Sequence, residues 1–158
     1  MLNKYIKFKN FRSKIRPNEK QKIFKIFKNL KNENNQILNS LTISYKNSYN
    51  KKLIYKLKKF SEICLIGMGG SILGSKAIHN FLKPKKKKFY FIDSFQKKIQ
   101  SSKKTLNLII SKSGNTLETI ANANILINKN DKNIFITENK KNYLRILANK
   151  LKAEIVDH

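Results

Sequence analysis

Five short apolar stretches, spaced along residues 61–158, constrain the fold of this chain more than any other feature. Each is continuously apolar at its centre, which is typical of strands buried on both faces of a parallel sheet. The segments between them are about 12 to 21 residues long, enough for crossover helices. The sequence therefore predicts an α/β domain with a doubly wound, five-stranded parallel sheet, and we expect a flavodoxin-like strand order. The predicted strands are Ile63–Met68, Phe89–Asp93, Leu106–Ser111, Asn133–Glu138 and Glu154–Asp157.

Residues 1–60 have a different pattern, which predicts a helical N-terminal segment. The sequence Pro17-Asn18-Glu19 is a helix start, and apolar residues follow at helical spacing as far as Leu30. A second helical stretch is predicted from about Asn35 to Phe60. We therefore divide the chain into a helical segment, residues 1–60, and an α/β domain, residues 61–158, and assign no chemistry to the helical segment.

The chain of 158 residues carries a formal net charge of +26. Its lysines are scattered over most segments and arginine is nearly absent, whereas proteins that read bases usually rely on arginine. We therefore interpret the charge as a compositional bias and expect no specific nucleic-acid partner, although a positive field would still attract a phosphorylated anion. The densest basic run, Lys83–Lys88, precedes the second strand, so we predict a solvated loop at the N-terminal edge of the sheet.

The sequence also bears on location and on thiol chemistry. No stretch approaches the roughly 18 apolar residues of a membrane span, and the N-terminus lacks the apolar core of a signal peptide. We therefore expect no membrane partner and a cytoplasmic location. The single cysteine, Cys64, lies inside the first apolar stretch, which predicts a buried, reduced thiol.

A glycine-rich loop, Gly67–Gly74, follows the first predicted strand and opens a helix. Glycines there permit a tight turn and close approach of the backbone to a ligand. Ser71 occupies the expected N-cap position, and the amides at a helix start can bind an anion. The loop departs from the dinucleotide fingerprint because Ile72 replaces its third glycine, and from the P-loop because Ser75 and Lys76 come in the wrong order.

A second loop, Ser111–Thr119, follows the third predicted strand and also opens a helix. Three hydroxyls and one ammonium group at a helix N-terminus suit a tetrahedral oxyanion. Glu118 has two interpretations, a capping box that reaches back to Asn115 and a place in the ligand site. If the first and third strands are neighbours, both loops face one crevice at the carboxyl edge of the sheet. The candidate groups in this loop are Ser111, Lys112, Ser113 and Thr116.

The two loops, I-G-M-G-G-S-I-L-G and I-S-K-S-G-N-T-L-E-T, resemble the N-terminal half of the glucose-6-phosphate isomerase family. The resemblance covers about residues 61–158 and implies a sugar isomerase domain. That family interconverts glucose 6-phosphate and fructose 6-phosphate in glycolysis and gluconeogenesis, so the implied ligand is a sugar 6-phosphate. It implies neither a cofactor nor a metal, and it implies a homodimer for the full-length protein.

The resemblance also implies roles for individual residues. Gly70 and Ser71 would line the substrate, and Glu118 would help to orient an arginine farther along the chain. The substrate phosphate would be held by Ser111, Lys112, Ser113 and Thr116.

The family's catalytic groups lie beyond the position that corresponds to His158, so the resemblance implies no catalytic residue in this chain. Isomerisation needs a base that removes a proton from the carbon beside the carbonyl. Glu138 ends a strand, but the sequence suggests no partner for it, and His79 is interpreted as a core or surface residue. We therefore expect a fragment of an isomerase, truncated on its C-terminal side, that binds the phosphate end of the substrate.

Two alternatives remain open. A sugar-phosphate sensor could use the same domain without catalysis, although residues 1–60 show no clear helix-turn-helix. A dinucleotide-binding domain would use Asp93, at the end of the second strand, to meet a ribose. This second alternative leaves the loop at Ser111–Thr119 unexplained.

Overall fold

The computed structural model describes residues 16–33, 35–95 and 105–158. The chain divides into two compact units, Met1–Lys46 and Asn47–His158, which are described separately below. In the first unit the helices are α1 (Pro17–Asn32) and α2 (Gln36–Asn39). In the second unit the elements are α3 (Lys51–Leu57), β1 (Glu62–Gly67), α4 (Gly70–Leu82), β2 (Lys88–Ile92), β3 (Leu106–Ile110), α5 (Leu117–Leu126), β4 (Lys132–Thr137), α6 (Tyr143–Lys150) and β5 (Glu154–Asp157).

The five strands form one sheet in the order β2-β1-β3-β4-β5, and every neighbouring pair is parallel. This confirms the predicted fold class, the five strands and the flavodoxin-like order. The order reverses between β1 and β3, so the connections from these two strands leave in opposite directions. The predicted crossover between β2 and β3 includes residues 96–104, which lie outside the described residues.

Successive side chains along each strand point to opposite faces of the sheet and pack into two apolar cores, one on each face. In β1, Cys64 and Ile66 join the core that also contains Ala123 of α5 and Leu144 of α6. The intervening positions of β1 join the other core, which contains residues from α3 and α4. Helices therefore cover both faces, which explains why the strands are continuously apolar. The second core consists of Leu53, Ile63, Leu65, Ile72, Leu106 and Ile134.

The thiol of Cys64 is buried, as the apolar run around it predicts. Burial raises the pKa of this thiol to about 12, because desolvation disfavours the thiolate. The side chain therefore behaves as a small apolar group in the centre of the sheet.

Two asparagines lie inside the sheet, on the neighbouring strands β3 and β4. The Asn107 Nδ2 donates to Oδ1 of Asn133 over 2.8 Å, and the Asn133 Nδ2 donates to the carbonyl of Asn128 over 2.8 Å. Leaving one such buried amide unpaired would cost about 1–3 kcal/mol. The pair therefore favours the observed register of these two strands, in which Asn107 and Asn133 are partners.

The predicted helix from Asn35 to Phe60 is wrong in its middle. Residues 40–50 form turns, bends and irregular chain, because short polar side chains bond to the backbone and compete with helical hydrogen bonds. The Ser40 hydroxyl donates to the carbonyl of Ile37 over 2.6 Å, and the Thr42 hydroxyl donates to that of Asn39 over 2.7 Å. Helix α1 forms as predicted.

Helix α3 restarts within the second unit. The Asn50 side chain caps it by accepting from the amide of Lys52. Leu53 of this helix is buried against the sheet. Helix α3 thus belongs to the compact unit that starts at Asn47. The sequence-based division at residue 61 assigns it to the N-terminal segment instead.

The basic run Lys83–Lys88 lies at the N-terminal edge of the sheet, as predicted, because Lys88 opens β2 and pairs with Glu62 at the start of β1. The Lys87 ammonium donates to the carbonyl oxygens of Lys58 and Phe60, just after the C-terminal end of α3. A cation there complements the helix dipole. Among the helices of the described residues, none is long and apolar enough to cross a membrane.

Candidate functional site

The two candidate loops leave the sheet side by side. Gly67, at the end of β1, is in register with Ile110 at the end of β3. A Cβ placed on Gly67 would lie 3.0 Å from the carbonyl oxygen of Ile110 and 3.3 Å from the Cβ of Ser71. The first turn of α4 therefore sits against the end of β3, and both loops open at the carboxyl edge of the sheet.

The β3–α5 loop (residues 111–116) gathers two of the predicted hydroxyls. The Ser111 side chain is 2% exposed, and its Oγ lies 3.0 Å from Oγ1 of Thr116. The Gly114 amide donates to the same Ser111 Oγ over 3.2 Å. Thr116 is the N-cap residue of α5, so this hydroxyl pair lies at the helix start, where the helix dipole favours an anion.

The other two predicted groups of this loop lie apart from that pair. The Ser113 Oγ accepts a hydrogen bond from the amide of Asn115 over 3.3 Å. The Lys112 side chain is 69% exposed, and its ammonium lies 3.8 Å from a carboxylate oxygen of Glu138. Among the described residues, neither side chain forms a hydrogen bond or an ion pair with Ser111 or Thr116.

Glu138 is not the unpartnered carboxylate that the sequence suggests. It faces Lys112 and, over 3.2 Å, the ammonium of Lys140. The sequence-based interpretation is wrong because β4 lies next to β3, so its carboxyl end reaches the β3–α5 loop. A carboxylate engaged by two ammonium groups is poorly placed to act as a base.

In the β1–α4 loop, the N-cap prediction is wrong by two residues. Helix α4 begins at Gly70, and its N-cap is Gly69 with φ near +53°. Glycine adopts this backbone conformation readily. Ser71 lies in the first turn instead, and its amide donates to the carbonyl of Met68 over 3.1 Å.

The predicted capping box at α5 is also wrong. Because the helix begins at Leu117, the third helical position is Thr119 and Glu118 is one residue too early. The Asn115 side chain accepts instead from the backbone amide of Tyr143, at the start of α6. Glu118 lies in the first turn of α5, half-buried, so a role in the ligand site stays a prediction.

Two residues near the site were missed at the level of sequence. The Thr119 side chain is 1% exposed, and within the described part of the chain its Oγ1 has no hydrogen-bond partner. Its position one turn after Thr116 could have drawn attention to it. Asn142 is the N-cap of α6 and lies against Gly114, a contact for which the sequence carries no local signal.

Asp93, the candidate ribose ligand, forms an ion pair with Lys76 of α4. The hydrogen bond from the Lys76 ammonium lowers the pKa of Asp93 and stabilises the carboxylate. In the structure this carboxylate is therefore paired with a residue of the neighbouring helix. His79 packs against the rings of Phe89 and Phe91, at centroid distances of 4.9 and 5.3 Å, which agrees with a packing role.

The arrangement can hold a tetrahedral anion. Hydroxyls and backbone amides at the start of α5 supply hydrogen-bond donors, and the exposed Lys112 supplies positive charge. Over the residues described, no group of three or more histidine, cysteine, aspartate or glutamate side chains could hold a metal ion.

Comparison with known proteins agrees with this architecture. The family model described as phosphoglucose isomerase matches residues 17–154. The glucose-6-phosphate isomerase of Borreliella burgdorferi is 44% identical over an alignment of 86 residues, and the match covers 46% of this chain and 16% of the relative. That of Methanocaldococcus jannaschii is 47% identical over an alignment of 73 residues, and the match covers 42% of this chain and 18% of the relative. The matched part thus spans less than a fifth of these relatives.

One solved structure supports the fold. The crystal structure of a hypothetical protein from Thermus thermophilus matches with a TM-score of 0.52 and 24% sequence identity. The match covers 63% of this chain and 28% of that one.

Proposed function

Because the chain belongs to the phosphoglucose isomerase family, we propose that it binds the phosphate of a sugar 6-phosphate as part of a glucose-6-phosphate isomerase. That enzyme would interconvert glucose 6-phosphate and fructose 6-phosphate, in glycolysis and gluconeogenesis. The observation that carries the proposal is the Ser111–Thr116 hydroxyl pair at the N-terminus of α5. The relatives named above carry the same activity in their names.

In this proposal the phosphate lies over the β3–α5 loop, where donors converge on the helix start. Ser111 and Thr116 bind the phosphate through their hydroxyls, and their mutual hydrogen bond opens so that both can donate to it. Ser113 adds a third hydroxyl at the exposed rim. Lys112 contributes charge and turns from Glu138 toward the phosphate, which is feasible because its side chain is largely exposed.

The sugar extends from the phosphate toward the start of α4. Gly70 and Ser71 line it there, since Ser71 lies beside the end of β3. Glu118, in the first turn of α5, orients an arginine from elsewhere in the full enzyme. The reaction shifts a proton between neighbouring carbons of one sugar, so the proposal includes neither a cofactor nor a metal.

The base that removes this proton is not assigned to any residue of the chain. Glu138, which stands near the site, is paired with Lys112 and Lys140. We therefore propose that the catalytic groups lie farther along the sequence of the full-length enzyme. We further propose that this enzyme is a cytoplasmic homodimer with neither a membrane nor a specific nucleic-acid partner. This chain alone should bind the phosphate and show no turnover.

The proposal is tested by calorimetric titration of the chain with fructose 6-phosphate, with fructose and NAD as controls. Binding of the phosphorylated sugar alone supports the phosphate site. Binding of NAD with comparable affinity would contradict it and favour a dinucleotide domain. A coupled isomerase assay on the same preparation tests the assignment of catalysis, since robust turnover would show that the base is present in this chain.

A further inference from the structure

The start of α6 holds the β3–α5 loop from the side. The Tyr143 amide donates to the Asn115 Oδ1 over 3.0 Å, and the Leu144 amide donates to the carbonyl of Gly114 over 3.1 Å. These amides belong to the first turn of α6, where backbone donors have no partner within the helix. The helix thus uses two of its unpaired donors to fix two consecutive residues of the loop.

Asn142 connects this helix start to the end of the preceding strand, β4. Its side chain is 5% exposed, and its Oδ1 accepts from the Arg145 amide over 2.9 Å as a helix cap. Its Nδ2 donates to the Thr137 Oγ1 over 3.1 Å and to the carbonyl of Lys140 over 3.0 Å. The Thr137 hydroxyl in turn donates to the carbonyl of Lys112 over 3.2 Å.

Asn142 also contacts the loop directly. Gly114 has φ near +66°, and a Cβ at this position would overlap the amide group of Asn142. The Asn142 side chain therefore fills the space beside the one residue of the loop in a left-handed conformation. Gly114 in turn supplies the amide that donates to Ser111.

We propose that Asn142 is a positioning residue for sugar-phosphate binding, which holds the β3–α5 loop in the shape that presents Ser111 and Thr116. It acts through Gly114 and Thr137. This inference rests on the proposed function, because it assumes that the loop binds the phosphate.

The test compares Asn142→Ser with Asn149→Ser, an exposed position on the same helix. Serine is a good N-cap, so Asn142→Ser keeps the cap of α6 but is too short to reach Thr137 and Gly114. We expect its affinity for fructose 6-phosphate to fall roughly fivefold or more, measured at a temperature at which both variants are folded. Its melting temperature should lie below that of Asn149→Ser, because only Asn142 makes buried hydrogen bonds. The amide resonance of Gly114 should shift only in Asn142→Ser.

The possible results distinguish a failure of this inference from a failure of the proposed function. If the unsubstituted chain fails to bind fructose 6-phosphate, the proposed function and this inference both fall. If that chain binds and Asn142→Ser binds equally well, this inference alone is overturned. Should Asn142→Ser fail to fold, Thr137→Val keeps Asn142 and removes the hydroxyl that joins it to the carbonyl of Lys112. Weaker binding by that variant supports the inference, and unchanged binding overturns it.

Discussion

The loops after β1 and β3 leave the same edge of the sheet and both open a helix, but they are held in different ways. The β1–α4 turn is secured by its own backbone, with the Ser71 amide on the Met68 carbonyl and the Ile72 amide on the Gly69 carbonyl. The β3–α5 loop depends on β4 and α6, through Thr137, Asn142 and Tyr143. A local turn tolerates changes elsewhere in the fold, whereas a loop fixed by distant elements responds to them.

The largest effect is expected from a pair of glycine substitutions, one in the β3–α5 loop and one in α4. Gly114→Ala should destabilise the second unit by about 2–4 kcal/mol, because it combines a strained backbone with overlap against Asn142. Gly74→Ala, where a Cβ meets open space among the described residues, should stabilise α4 by about 0.5–1 kcal/mol. Urea unfolding followed by circular dichroism measures both changes.

The double variant Gly114→Ala with Asn142→Ala refines the same comparison. Its loss of stability should be smaller than the sum of the losses of the two single variants, because the overlap disappears while the backbone strain remains. Strictly additive losses would show that Gly114 and Asn142 are not in contact.

A smaller effect is expected from removing hydroxyls in the β3–α5 loop. Ser111→Ala and Thr116→Ala should each weaken binding of fructose 6-phosphate by about 1–3 kcal/mol, the usual range for a hydrogen bond to a charged group. Ser75→Ala, within α4, is the control for a lost hydroxyl. Unchanged affinity in both loop variants would remove this loop from the site.

The smallest effects concern charge around the loop. Lys112→Gln should weaken binding and Glu138→Gln should strengthen it, each by up to about 1 kcal/mol because the lysine is exposed. Both effects should shrink as salt is raised. Titrations at low and high salt measure them, with Lys85→Gln and Lys86→Gln at the opposite edge of the sheet as the matched control. An equal effect from that control would mean that only the general positive field matters.

The same difference explains how much could be predicted from the sequence. The strands were predictable because burial on both faces leaves a continuous apolar run in each. The clustering of Ser111 and Thr116 also followed from local spacing. The Asn115 side chain could not be placed, because its partner Tyr143 lies 28 positions away. The prediction of one continuous helix from Asn35 to Phe60 was wrong in its middle, because it relied on apolar spacing and neglected the bonds of Ser40 and Thr42 to the backbone.

The burial of Cys64 has a practical consequence for folding measurements. Its thiol lies in the middle of β1, with β2 and β3 hydrogen-bonded on either side. Its side chain packs in the core with Ala123 of α5 and Leu144 of α6, so a thiol-specific reagent can reach it only when these helices lift from the sheet or the whole unit unfolds. Fraying of the loops would leave the labelling rate unchanged. The rate of alkylation at this one sulfur therefore reports how often the core between the sheet and these two helices opens.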